Sequence, residues 1–134
     1  MIKKNKFLSF FILILFSFSL AAEDSSKSAS DYFVLAEKEI EEENWYSAYQ
    51  YLLETVTKNP DYQKAWFLLA ECSYQLDEFA LTLSYLENAE KYFPSDSKIL
   101  NLRGMTYISL GKTLEAEKIF DEVLKIYPHD VTAR

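Results

Sequence analysis

The chain of 134 residues has one cysteine, one histidine, two glycines and three prolines. Each scarcity excludes something. With Cys72 alone no internal disulfide forms, so the fold rests on packing. Cys72 lies within "WFLLAECSY" and is expected to be buried as a small apolar residue. The single histidine, His129, follows a proline and has no cysteine beside it, which argues against a histidine-based triad or a histidine-rich metal site. Gly104 and Gly111 are too few and too far apart for a phosphate-cradling loop. Acidic neighbours such as Glu41 and Glu42 read as a solvated helix surface rather than an acid/base pair. The expectation is therefore a non-enzymatic chain with no cofactor and no small-molecule substrate.

Basic charge is also scarce. The net charge is −7, and the only cluster of lysines outside the acidic remainder is at the start: Lys3, Lys4 and Lys6. An uncharged run, Phe7 to Ala22, follows them, with small residues at Ser19, Ala21 and Ala22. A charged start, an apolar stretch and a small-residue end are the order of a secretory signal peptide. The run is shorter than the roughly 20 residues of a spanning helix. Residues 1–22 are thus expected to be a cleaved signal, with an uncleaved membrane anchor through Phe7–Leu20 as the alternative. Taking these three lysines away, with no acid, moves the net charge from −7 to −10. So acidic a remainder repels nucleic acid and anionic lipid and favours basic or apolar partners. The short lysine-rich start fits a bacterial protein of the periplasm, or one anchored to the inner membrane if the signal is retained.

Residues 23–30, "EDSSKSAS", are small and polar and read as a linker. From Asp31 onward apolar residues recur at intervals of three and four, as in Ala65, Trp66, Leu69, Ala70 and Tyr74. That is the period of an amphipathic helix. Breakers divide the pattern at Asn44, Pro60, Asp77, Pro94, Gly111 and Pro128. The spacing predicts six helices, over about 31–43, 46–58, 62–75, 79–92, 96–109 and 113–126. Connections of a few residues make neighbours antiparallel. Proline ends one helix, and an Asp or Ser after it is placed to cap the next. Gly111 fits a left-handed position just past a helix end.

The prolines at 60, 94 and 128 are spaced by 34, and other positions follow the same step. Tyr32, Trp66 and Leu100 align, all large. Ala36, Ala70 and Gly104 align, all small, as do Ala48, Thr82 and Ala116. Leu52, Leu86 and Phe120 are again large. Alternation of size in a fixed register is what close helix crossings require, because a small side chain admits the large one facing it.

This register resembles the tetratricopeptide repeat, whose pattern over 34 residues is W-x2-L-G-x2-Y, then A-x3-F, then P. Trp66, Leu69, Leu86 and Pro94 match it in the second copy, and Gly104, Tyr107, Ala116, Phe120 and Pro128 in the third. The first copy is weakest: Tyr32, Leu35, Ala48 and Pro60 fit, while Glu39 stands at a tyrosine position. Arg103 and Thr82 also depart from the pattern. A pentatricopeptide array is the alternative helical-hairpin repeat, but its period is one residue longer and its RNA ligand suits a basic chain. The resemblance implies an all-α, right-handed α-solenoid of three helix-turn-helix repeats, over about 29–62, 63–96 and 97–130.

It also implies a concave groove lined by the first helix of each hairpin, which takes a protein or peptide. Projected onto this chain, the groove carries Phe33, Glu37 and Ile40, then Lys64, Phe67, Glu71 and Tyr74, then Lys98, Asn101, Met105 and Ile108. Ile40, Tyr74 and Ile108 align, are bulky, and are expected to pack. The expected partner-binding set is Phe33, Glu37, Lys64, Phe67, Glu71, Lys98, Asn101 and Met105. Some family members clamp a C-terminal carboxylate there. Phe33, Glu37, Leu68 and Leu102 occupy four of the clamp's places and only Lys98 suits it, so a receptor of that type is not expected. The expected function is an exported protein-interaction adaptor or scaffold. The alternatives are a membrane-tethered envelope assembly factor and a regulatory subunit of an enzyme or transporter. Glu41, Glu42 and Glu43, at a helix end that disfavours negative charge, are either a tolerated solvated end or a rim for a basic partner. The sequence leaves Phe120, Leu124 and Tyr127 without a following helix, so the expectation is partial exposure, cover by another chain through self-association or partner docking, or a longer natural protein.

Overall fold

A computed structural model describes residues 26–129. The expected signal or anchor over residues 1–22 lies outside the described residues, as do the first residues of the linker and the chain after His129. Within them the chain is all-α, a helical-repeat solenoid of six helices with no strand. They are α1 (Ala29–Glu41), α2 (Trp45–Lys58), α3 (Gln63–Gln75), α4 (Phe79–Tyr92), α5 (Ser97–Ser109) and α6 (Thr113–Ile126). Each helix packs on the next, and α3 also meets α5, so the first helices of the second and third hairpins lie side by side.

The helix starts are set by local chemistry. α1 begins at Ala29, inside the stretch expected to be linker, because Ser28 and Asp31 cap it reciprocally. Asp31 N donates to Ser28 Oγ at 3.2 Å and Ser28 N donates to Asp31 Oδ2 at 2.7 Å. This is a capping box with aspartate in the acidic place. The bonds from Ser28, backbone first, hold the Asp31 carboxyl below its ordinary value. Asp96 caps α5 as the proline rule predicts, accepting from Lys98 N at 2.9 Å and Ile99 N at 3.3 Å. Asp61, at the corresponding corner, does not cap α3: its carboxylate accepts from Tyr92 OH at 3.0 Å, and Trp66 Nε1 donates to Pro60 O at 2.8 Å. That corner is held from α3 and α4 instead.

The ends of the first helices repeat one device three times. Glu43, Asp77 and Gly111, at intervals of 34, have φ of +57°, +60° and +71°. In the first turn Glu43 N donates to Ile40 O at 3.0 Å and Asn44 N to Glu39 O at 2.8 Å. The other two turns repeat both bonds, ending on Glu78 N to Ser73 O and Lys112 N to Tyr107 O. This is the Schellman pattern, with the left-handed residue just past the helix. Only the third copy has glycine there. α1 accordingly stops at Glu41, two residues short of the predicted end.

Packing follows the size register. Ala36 and Leu52 are buried in the cluster between the first two hairpins, and Ala70 and Leu86 in the next. In the third hairpin Gly104 faces Phe120: a Cβ on Gly104 would lie 2.6 Å from the ring's Cε1 and Cζ. The larger side chain is accommodated by the smaller neighbour. Two of the three departures from the repeat, Arg103 and Thr82, are also answered. Arg103 pairs with Glu90 through Nη2 to Oε2 at 2.7 Å and Nη1 to Oε1 at 3.4 Å. One repeat earlier the equivalent positions are Leu69 and Val56, both buried in the first cluster, so an ion pair replaces an apolar pair. Thr82 Oγ1 donates to Glu78 O at 3.1 Å and shares a 3.0 Å bond with Ser73 Oγ, which makes a buried hydroxyl tolerable. Cys72 is fully buried, and burial pushes its thiol up to about 12, so it has no thiolate character at neutral pH.

Candidate functional site

Two adjoining cavities open along the side formed by α1, α3 and α5. The first, of about 350 Å³, is lined by Phe33 and Glu37 of α1, by Lys64, Phe67, Leu68 and Glu71 of α3, and by Phe93, Asp96, Lys98 and Ile99 at the entry to α5. The second, of about 430 Å³, is lined by Ile40 and Trp45 around the first turn, by Phe67, Glu71, Tyr74 and Gln75 of α3, and by Lys98, Asn101, Leu102 and Met105 of α5. Phe67, Glu71 and Lys98 belong to both. The cavities are therefore two bays of one groove, divided by side chains of its middle helix and of α5.

All eight residues of the expected partner-binding set line this groove, but not equally. Phe67 is half-buried and Met105 is 37% exposed, so both present surface. Phe33 is only 6% exposed, because its ring packs on Tyr62 with centroids 4.6 Å apart. It forms floor of the first bay and offers a partner little surface. Asn101 is also buried, at 8% exposure, in the second bay. Glu37, Lys64 and Lys98 are exposed at the walls. Glu71 is half-buried; burial raises its carboxyl pKa, and the nearby Lys98 charge pulls it back.

The aligned trio behaves unequally. Ile40 and Tyr74 are half-buried as expected, and Tyr74 OH bonds Ser109 Oγ at 3.3 Å. Ile108 is 56% exposed, contrary to the packing role expected of it. The cause is position: Tyr74 leans on α5, whereas no described helix lies beyond α6 to receive Ile108. Sequence reasoning missed Trp45, Phe93 and Asp96, which stand beside the turns at helix ends, and Gln75 and Ile99 of the first helices. The available signal was a large aromatic directly beside a helix break in both Asn44-Trp45 and Phe93-Pro94.

The groove's charges alternate. Glu37 and Glu71 are one repeat apart, and so are Lys64 and Lys98. Such walls pair with both signs, while the bays accept apolar side chains. Among the described residues no group of three acidic, histidine or cysteine side chains is placed to hold a metal, and no helix is long and apolar enough to cross a membrane. On the last hairpin Tyr127 is 39% exposed, whereas Phe120 and Leu124 are half-buried. Leu114, at 71%, is the most exposed large apolar residue there.

Comparison with known proteins agrees with this geometry. Residues 97–130 match the family model of the tetratricopeptide repeat. No curated protein matches the chain. Among solved structures, the first TPR of Spaghetti (RPAP3), bound to HSP90 peptide SRMEEVD, superposes with a TM-score of 0.72 at 22% identity, over 81% of this chain and 86% of that one. The second TPR domain of human RPAP3, in complex with HSP70 peptide SGPTIEEVD, gives 0.71 at 19% identity, over 78% and 88%. MamA from Desulfovibrio magneticus RS-1 gives 0.76 at 12% identity, over 84% of this chain and 63% of that one. The third hairpin is thus similar in sequence to a tetratricopeptide repeat, and the whole described fold is similar to tetratricopeptide arrays.

Proposed function

We propose that this chain is an exported, non-enzymatic adaptor that binds a segment of another protein in the groove of α1, α3 and α5. The observation that carries the reading is the pair of confluent bays, apolar at the floor and charged with both signs at the walls. Two of the similar solved structures hold peptides, which supports a polypeptide as the ligand class. The ligand here differs from an acidic chaperone tail, since Phe33, Glu37, Leu68 and Leu102 replace the groups a carboxylate clamp needs. Export rests on the lysine-rich start and the apolar run ending in small residues, and it places the adaptor in a bacterial periplasm. If the run Phe7–Leu20 is retained, the same groove works from the inner-membrane surface as part of an envelope assembly. N-terminal sequencing of the mature protein separates the two.

Phe67 is the residue to change. It is half-buried, lines both bays and packs at the edge of the second core cluster. Phe67→Ala is expected to abolish recovery of the partner that the unchanged protein captures, while far-ultraviolet circular dichroism keeps its helical signal. Undiminished capture by a folded Phe67→Ala protein would contradict the groove as the binding site.

A further inference from the structure

The two bays differ at their edges. The second is bounded by Ile40 and Trp45, which flank the first turn, and by Tyr74 and Gln75, which precede the turn between α3 and α4. Those turns carry Glu41, Glu42, Glu43, Asp77 and Glu78, all exposed. Among the described residues none of the five pairs with a lysine or arginine; Glu42 accepts only from Asn44 Nδ2 at 3.3 Å. The corresponding turn between α5 and α6 has no acid and carries Lys112. The acidity is therefore confined to the two turns beside the second bay. Lys64 stands at the groove's other edge and Lys98 where the two bays meet, while Asp61 and Asp96 are held by Tyr92 OH and by the start of α5. The groove is polarised from a lysine edge to an acidic edge along its own helices.

Resting on the reading of the groove as a polypeptide site, we infer that its occupant is a segment with an apolar or aromatic anchor beside a short run of Lys or Arg, the anchor entering the second bay and the cations lying across the acidic turns. Ile40, Trp45, Tyr74, Leu102 and Met105 supply the apolar lining for the anchor. Helix carbonyls already make the end of α1 negative, and Glu41, Glu42 and Glu43 outnumber Lys38 of the last turn, so this end favours an incoming cation. An attraction of this kind acts on association and on selectivity against acidic competitors. An acidic segment meets the same rim with like charge and is turned away.

The test selects ligands without presuming one. A display library of random peptides, about 12 residues long, is selected on the immobilised full chain, and the enriched peptides are measured by fluorescence anisotropy at low salt, where charge pairs are least screened. Enriched peptides are expected to carry Lys or Arg next to an apolar residue. Their affinity should fall about tenfold when Glu41→Gln, Glu42→Gln and Glu43→Gln are combined, and stay unchanged when Glu115→Gln, Asp121→Asn and Glu122→Gln remove as many charges from α6. Enriched peptides without a basic preference, or equal loss in both triple variants, would overturn the inference and leave the groove reading standing. Failure to enrich any peptide, from a chain with full helical signal, would overturn both.

Discussion

At the residue scale the left-handed positions are the clearest case of a cost tolerated by the repeat. Glu43 and Asp77 adopt a backbone that glycine adopts freely, as Gly111 does at the third copy. Glu43→Gly should therefore stabilise the protein by about 0.5–1 kcal/mol, less what the unfolded chain gains in freedom. Chemical denaturation checks this; a loss of stability would mean that Glu43 makes a contact worth more than its strain. Asp31 offers a second test. Its folded pKa is depressed by the bonds from Ser28, so its contribution is present above the unfolded value near 3.9 and is lost as pH falls through the folded value. The protection factor of the amides in the first turn of α1 should fall on acidification through that range, and Asp31→Asn should remove this pH dependence of protection. Much at this scale was hidden from the sequence. The capping box was visible only as small polar residues, and nothing in "EEEN" or "LDEF" announces a left-handed glutamate or aspartate, because the Schellman hydrogen bonds set the backbone and not the side chain.

At the scale of elements, helix existence and register were legible, because buried faces impose a period that polar faces do not blur. The second, fourth and sixth helices end where proline and its flanking residues say they must. The first helix was misplaced at both ends, by its cap and by its left-handed turn. The size register was legible too, and it yields the sharpest packing test. Gly104→Ala alone places a methyl group against the Phe120 ring and should cost roughly 1–3 kcal/mol, the usual range for overpacking. Gly104→Ala with Phe120→Leu reproduces the Ala70 and Leu86 arrangement of the preceding hairpin and should recover most of that loss. Additive losses in the double variant, measured by thermal unfolding, would show that the two positions do not face each other as described. The ion pair between Arg103 and Glu90 belongs here as well. The sequence showed Arg103 as a departure from the pattern but not its partner 13 residues away, since the pairing arises only when α5 lies on α4.

At the scale of the whole molecule, stacking three hairpins brings residues 34 apart side by side and turns a sequence period into a surface. That is how Glu37 with Glu71, and Lys64 with Lys98, become the walls of one groove. It also sets Phe33 apart from the other groove residues: Tyr62 from the neighbouring corner packs on its ring, and corners are not encoded in a helical projection. Trp45 and Phe93 were missed for the same reason. The central claim is that the groove of α1, α3 and α5 is the surface that receives a polypeptide. Hydrogen–deuterium exchange with and without a selected peptide measures this directly. Slowed exchange is predicted in the segments around Glu71, Lys98 and Met105 and in the turn after Ile40, with α2 and α6 unchanged. Protection confined to α2, α4 or the last hairpin, with the groove unaffected, would contradict the account.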